Sequence, residues 1–276
     1  MAVDDREALT AYLHEVGRQD DDEIDLARAA LALAALDRPQ VSLGRYRDHL
    51  VELAGAIAVA DDASINDCVA ALAETMTARF GYVGDELTYD DVQNANLMRV
   101  IDRRKGLPVA LGILYLHAGR ARGWAMHGLS FPGHFLIRID RAGQRAVLDP
   151  FHGGKQLSTA DLRALLGAVA PGRDLRPDHH DAVGNRDILL RLQNNIRSRA
   201  EAAGKTERLA AVLHTMLLIA PDRAEHWRDY GRAQAALGQI KDGMAATRRY
   251  MELAGDDAAS RHEALAFLQQ LGQKLN

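Results

Sequence analysis

The chain has 276 residues, 47% hydrophobic and 26% charged, with 34 Lys and Arg against 38 Asp and Glu, one cysteine and a net charge of −4. This composition is that of an ordinary globular protein and excludes a disordered, collagenous or disulfide-stapled chain. No window approaches the roughly 18 consecutive apolar residues of a membrane span, and the opening MAVDDREALTAYL lacks the basic start and apolar run of a secretory leader, so a cytoplasmic protein without a membrane partner is expected.

The first predicted helix of the acidic N-terminal part is DLARAALALAAL, Asp25 to Leu36, with Asp25 placed as its cap and Pro39 shortly after its end. A second starts at Ser42, where Tyr46, Leu50, Leu53 and Ile57 recur at helical spacing. A third is capped by Ser64 with Asp67 three residues on, and runs to about Arg79. Residues 80–93 carry two glycines and several Asp residues and read as loop. From Arg103 to Trp124 the run RRKGLPVALGILYLHAGRARGW is apolar nearly all round after Gly106 and Pro108, which predicts a buried helix starting near Pro108 and closed by Gly123.

Periodicity then changes from helical to alternating. His127–Ser130, the stretch FPGHFLIRID (131–140) and AVLDPFHGG (146–154) read as strands of an antiparallel sheet, with 142–144 as a turn. Residues 155–170 return to helix with Ser158 as cap, and the Pro, Gly and Asp content of 171–185 reads as a linker. Beyond Asn185 the pattern is helical, and HTMLLIAPDRA (214–224) repeats as RRYMELAGDDA (248–258) at an offset of 34, the tetratricopeptide spacing. Trp227, Tyr230, Gly231 and Gly243 then occupy the large and small positions of that motif. Gln193 stands for the aromatic in the first copy and Gly255 for the final Pro in the second. The expected architecture is α+β: an N-terminal helical part (1–80), a helix-plus-antiparallel-sheet core (81–170), a linker (171–185) and helical repeats (186–276).

A buried helix with a glycine-rich start, then His134, then Asp149 is the order of parts in papain-like and transglutaminase-like enzymes. In such a site the helix terminus lowers a thiol pKa, His takes the proton and the carboxylate orients the ring. The phrases GLPVAL, FPGHFL and LDPFHGG, followed by EHWRDYGRAQAALG, resemble the bacterial SirB-type branch of the transglutaminase-like superfamily from about Asp25 to the C-terminus. The resemblance implies a transglutaminase-like core followed by tetratricopeptide repeats, with His134 and Asp149 at the catalytic histidine and aspartate positions. It also implies that Asn94, Asn96, Arg103, Arg104 and Gly106, which match the segment before the buried helix, line the same cleft, although Asn94 or Asn96 reads more simply as a turn or cap residue.

The nucleophile does not carry over. Its position falls at about Pro108, and Gly106 to Gly112 reads Gly, Leu, Pro, Val, Ala, Leu, Gly, with no Cys, Ser or Thr. Proline supplies neither a thiol nor an N–H for an oxyanion. Cys68, beside Val69 and Leu72 on an Ala/Leu face, reads as a small buried hydrophobe. His127, His134 and His152 with Asp149 lack the i, i+4 spacing of hydrolytic zinc sites, so neither a metal nor a cofactor is expected.

The leading expectation is a non-catalytic protein that binds a protein or peptide partner through its repeats. The alternatives are a hydrolase or lyase using His134 and Asp149 as a general base without a covalent intermediate, and a transcriptional regulator, as descriptions attached to the family suggest. Residues 97–145 carry 9 basic and 2 acidic side chains, but Arg120, Arg122, Arg138 and Arg141 sit at helix and strand ends and no helix-turn-helix is visible, which argues against a nucleic-acid partner.

Overall fold

The computed structural model describes residues 6–255 and 257–274. It forms two compact units, one comprising Asp20–Leu192 and the described residues through Leu9, the other Thr10–Gln19 and the chain from Gln193. The division falls inside two helices, after Leu9 and after Leu192, and between helices after Gln19.

Side-chain caps set the starts of two early helices, as their sequences predict; the helix expected from Ser42 instead spans Gly44–Ala54, short of Ile57, and Leu43 before it makes no side-chain cap. After α1 (Arg6–Val16), α2 (Leu26–Leu36) begins where the Asp25 carboxylate accepts from the Arg28 amide at 3.0 Å. Every residue of α2 except Arg28 is buried, which is why its Ala/Leu run needs no polar face. Following α3 (Gly44–Ala54), a reciprocal capping box opens α4 (Ile65–Glu74): the Asp67 amide donates to Ser64 Oγ at 3.2 Å and Ser64 N–H donates to the Asp67 carboxylate at 3.2 Å. A π-helical turn carries the chain on to Arg79.

The stretch expected as loop holds the two-residue strand β1 (Val83–Gly84). It pairs in parallel with β2 (Lys105–Gly106), on the far side of the short helix α5 (Leu97–Arg103). Next comes α6 (Pro108–Ala121), with Pro108 at its first position, where a missing N–H breaks no helical bond. Eleven of its fourteen residues are buried.

The sheet against α6 is built from β3 (Ala125–Leu129), β4 (Ile137–Arg141), β5 (Gln144–Asp149), β6 (Lys155–Leu157) and β7 (Ala182–Val183), in the order β6-β5-β4-β3-β7, all antiparallel. Ala142 and Gly143, both at positive φ, make the tight β4–β5 turn. One face meets α6, where Gly112 lies against Phe135 and Ile137, and Gly119 against Met126 and Trp124. On the other, Leu129, Phe131 and Leu136 pack with Leu162 and Leu166 of α7 (Thr159–Val169), whose Ser158 forms a second capping box with Asp161. The 171–185 stretch expected as linker supplies edge strand β7, whose two residues are too few to show a period in the sequence.

The second unit holds the later part of α1 and, from Gln193, the later part of α8 (Asn185–Ala202), then α9 (Thr206–Ile219), α10 (Ala224–Ala236), α11 (Ile240–Leu253) and α12 (Ala258–Gln273). The starts of α9 and α11, Thr206 and Ile240, are separated by the 34-residue period of the sequence, as are those of α10 and α12, Ala224 and Ala258. Gly231 and Gly243 sit where α10 and α11 cross: a Cβ on Gly243 would lie 3.0 Å from the Gly231 carbonyl oxygen. Small residues at both positions are what permit that approach.

Candidate functional site

Asp149 ends β5 and is buried. The chain must turn back at once to form β6, and it does so through Gly153 and Gly154, both at positive φ, with the Gly154 amide donating to the Asp149 carbonyl at 2.8 Å. This turn gives the carboxylate its surroundings. Its Oδ1 accepts from the Phe151 amide at 2.9 Å and lies 3.0 Å from His134 Nε2, while Oδ2 lies 2.7 Å from His152 Nδ1. Burial alone would raise the Asp149 pKa, but the two imidazoles hold it below the usual carboxylate range.

His134 does not lie in a strand, as its alternating neighbourhood predicts, but in the loop ahead of β4. Pro132 cannot donate to a ladder and Gly133 adopts φ 68°, so the chain breaks from strand geometry there. The carbonyls left without strand partners are taken up by a residue that sequence reasoning missed. Arg191, on the first part of α8, donates to the His134 carbonyl at 2.6 Å and to the Phe131 carbonyl at 3.3 and 3.4 Å, with its guanidinium 5.4 Å from the centre of the Phe135 ring. Only its place in a polar helix start was visible in the sequence.

Tyr115 of α6 packs against the 149–154 turn. Pro108 and Tyr115 are seven residues apart and share a helix face. Tyr115 is fully buried, and its hydroxyl has no hydrogen-bond partner among the described residues. Burial, with the Asp149 charge nearby, pushes its pKa upward. A Cβ on Gly154 would lie 3.2 Å from that hydroxyl, which fixes Tyr115 under the 149–154 turn.

The imidazole–carboxylate–imidazole group has a buried centre and an open edge: side-chain exposure is 11% for His134, 4% for Asp149 and 51% for His152. The donor atoms of His134, Asp149 and His152 all lie within 4.8 Å of one another. His127 stands apart from them, in register with Arg138 and 3.7 Å from Asp140. A cavity of about 500 Å³ elsewhere in this unit is lined by Asp22, His117, Arg120, Trp124 and His127 among others; its Arg120 already donates to the Met126 carbonyl and to Asn185.

The residues before α6 build a polar brace. Asn94 is fully buried, donating to the Thr88 carbonyl at 2.7 Å and accepting from Arg103 at 2.7 Å. Asn96 caps α5 by accepting from the Arg99 amide and ties it to α2 through the Ala34 carbonyl. Arg104, left-handed at φ 59°, ends α5 and donates to the Tyr82 hydroxyl at 2.6 Å, with His49 Nε2 at 2.8 Å. A Cβ on Gly106 would meet the Val100 side chain at 2.9 Å. Cys68 is fully buried on α4 and burial pushes its thiol pKa up, the opposite of an activated nucleophile.

Within this brace Asp85 is buried. It accepts from the Thr88 hydroxyl at 2.6 Å and amide at 3.1 Å and pairs with Arg103 at 2.6 Å. The Thr88 hydroxyl is the largest influence and, with the Thr88 amide and Arg103, takes the carboxyl pKa from 3.8 down to about 2 against the effect of burial. A carboxyl depressed by folding adds stability that is fully present above its unfolded pKa and is lost as pH falls toward the folded value. Asp85→Asn should therefore unfold at lower urea than the native chain at pH 7, with the gap narrowing below about pH 4. Urea midpoints that differ equally at pH 7 and pH 2.5 would contradict this.

Among the described residues, no helix is long and apolar enough to cross a membrane. A model described as the transglutaminase-like superfamily matches residues 44–194, and one described as tetratricopeptide repeat matches 196–269. A UPF0162 protein of Xylella fastidiosa strain Temecula1 is 30% identical over 241 residues, covering 85% of each chain. A UPF0162 protein of Vibrio cholerae is 32% identical over 223 residues, 77% of this chain and 80% of that one. Human F-box only protein 21 is 26% identical over 155 residues, 52% of this chain and 24% of that protein.

Proposed function

We propose, from the premise that this chain belongs to the transglutaminase-like superfamily, that it is a non-catalytic member of the SirB-type branch which works in the cytoplasm by binding a protein or peptide partner. Transglutaminase-like and tetratricopeptide domains together suit a protein-interaction function, and the repeat helices from α8 to α12 are the surface assigned to it here. The observation that carries the reading is the start of α6. The helix opens on Pro108, about where the sequence resemblance puts the superfamily's nucleophile, and no Cys, Ser or Thr lies between Gly106 and Gly112. Pro108 is read as the replacement of the catalytic Cys, and buried Cys68 offers no substitute.

A second reading is favoured by one contact. His134 Nε2 on Asp149 leaves Nδ1 as the nitrogen to take a proton, the arrangement of a general base acting on water without a covalent intermediate. Both readings are tested by assaying the full chain against peptide, ester and amide substrates beside His134→Ala. The binding reading expects no turnover above buffer in either protein, and partner cross-links that map to α8–α12. Turnover lost in His134→Ala would replace it with the hydrolase reading.

A further inference from the structure

We infer that His134, Asp149 and His152 form a three-ligand site for a divalent transition-metal ion of the zinc type. The site goes beyond the function proposed above and stands whether or not the chain turns over a substrate. Its first support is convergence. His134 Nε2 and His152 Nδ1 both point at one carboxylate, from 3.0 and 2.7 Å, and all three donor groups lie within 4.8 Å of one another. In a tetrahedral site with metal–ligand bonds of about 2.0–2.1 Å, neighbouring ligand atoms stand roughly 3.3 Å apart. An ion is therefore held once the carboxylate opens slightly from each ring and the two nitrogens, now within 4.8 Å, close to the same spacing, with each neutral ring carrying its proton on its other nitrogen.

The chemistry of the donors selects the ion. Two imidazoles and one carboxylate suit zinc, cobalt or nickel, whereas magnesium and calcium require oxygen ligands in greater number. Three protein ligands leave a fourth position, and the half-exposed His152 places it at the open edge of the group.

The second support is the shell around the ligands. The Phe151 amide already donates to Asp149 Oδ1, the outer hydrogen bond that orients a ligating carboxylate. Beneath it lies the fully buried Tyr115 hydroxyl, which has no hydrogen-bond partner among the described residues and is held under the 149–154 turn by Gly154. A buried hydroxyl left unpaired is costly. The sequence offers these three beside His127 but carries no metal signature, because no two of them are spaced i, i+4 on one helix. The β4–β5 hairpin and the Gly153–Gly154 turn bring them together.

The test is calorimetric titration of the chelator-treated full chain with zinc chloride at neutral pH, beside magnesium chloride. One zinc ion per chain is expected, with no magnesium heat. Binding should weaken at least tenfold to a hundredfold in His152→Ala, where a half-exposed side chain puts the fold at little risk, and stay unchanged in His180→Ala. A circular dichroism spectrum matching the native chain confirms that His152→Ala is folded. Zinc binding that is absent, that survives His152→Ala unchanged, or that magnesium matches would overturn the inference.

Discussion

Asp149→Ala is expected to cost about 3 kcal/mol of stability, because three groups lose their acceptor at once. The Phe151 amide is buried and would be left unpaired, and His134 and His152 would lose the carboxylate that faces them. An unsatisfied buried donor costs about 1–3 kcal/mol, more than the roughly 1 kcal/mol net value of an ordinary hydrogen bond, so the amide dominates the loss. Asp149→Asn keeps an oxygen for that amide and is expected to lose only about 1 kcal/mol. Urea midpoints measure both. Equal losses in the two variants would mean that the carboxylate charge, not the acceptor, holds the turn. Since folding lowers the Asp149 pKa, the native advantage over Asp149→Asn is present above the unfolded carboxyl pKa and fades as pH drops below it.

The second large effect belongs to Gly112. A Cβ there would lie 2.4 Å from Cε1 and 2.7 Å from Cδ1 of Phe135, a ring that is 1% exposed and is boxed from the other side by Gly128, whose added Cβ would meet Cζ at 2.8 Å. Gly112→Val is expected to cost about 3 kcal/mol, at the upper end of overpacking penalties. The better helix propensity of valine returns only a few tenths of a kcal/mol, so sterics decide the sign. Phe135→Leu should recover part of the loss when combined with Gly112→Val, although it is destabilising alone. A double-mutant cycle measures that coupling, and purely additive losses would show that the ring and the helix do not meet there. The residue next to Phe135 is His134, so the same clash moves the histidine loop.

The caps show how far local chemistry reaches. Asp25, Ser64 with Asp67, Ser158 with Asp161, and Pro108 at the head of α6 were all readable, because a cap depends on residues within one turn. The 34-residue period was readable for a related reason: each repeat packs on its neighbour, so the pattern recurs along the chain. Asn96 as a cap belongs to the same class, whereas the burial of Asn94 between Thr88 and Arg103 does not.

What the amino-acid sequence determined by itself was therefore the kind and order of the parts. A buried helix opens on proline, His134 and Asp149 follow it across an antiparallel sheet, and helical repeats come last. Each of these is written in residues a few positions apart. Tertiary structure decided where the side chains meet. Arg191 reaches back 57 residues to hold the His134 carbonyl, Tyr115 comes to rest under the turn after Asp149, and β7 closes a sheet edge from within an apparent linker. These contacts join residues that share no period and no turn. They form because β4 and β5 fold back on one another against α6, and loop carbonyls then need donors that only a distant helix supplies.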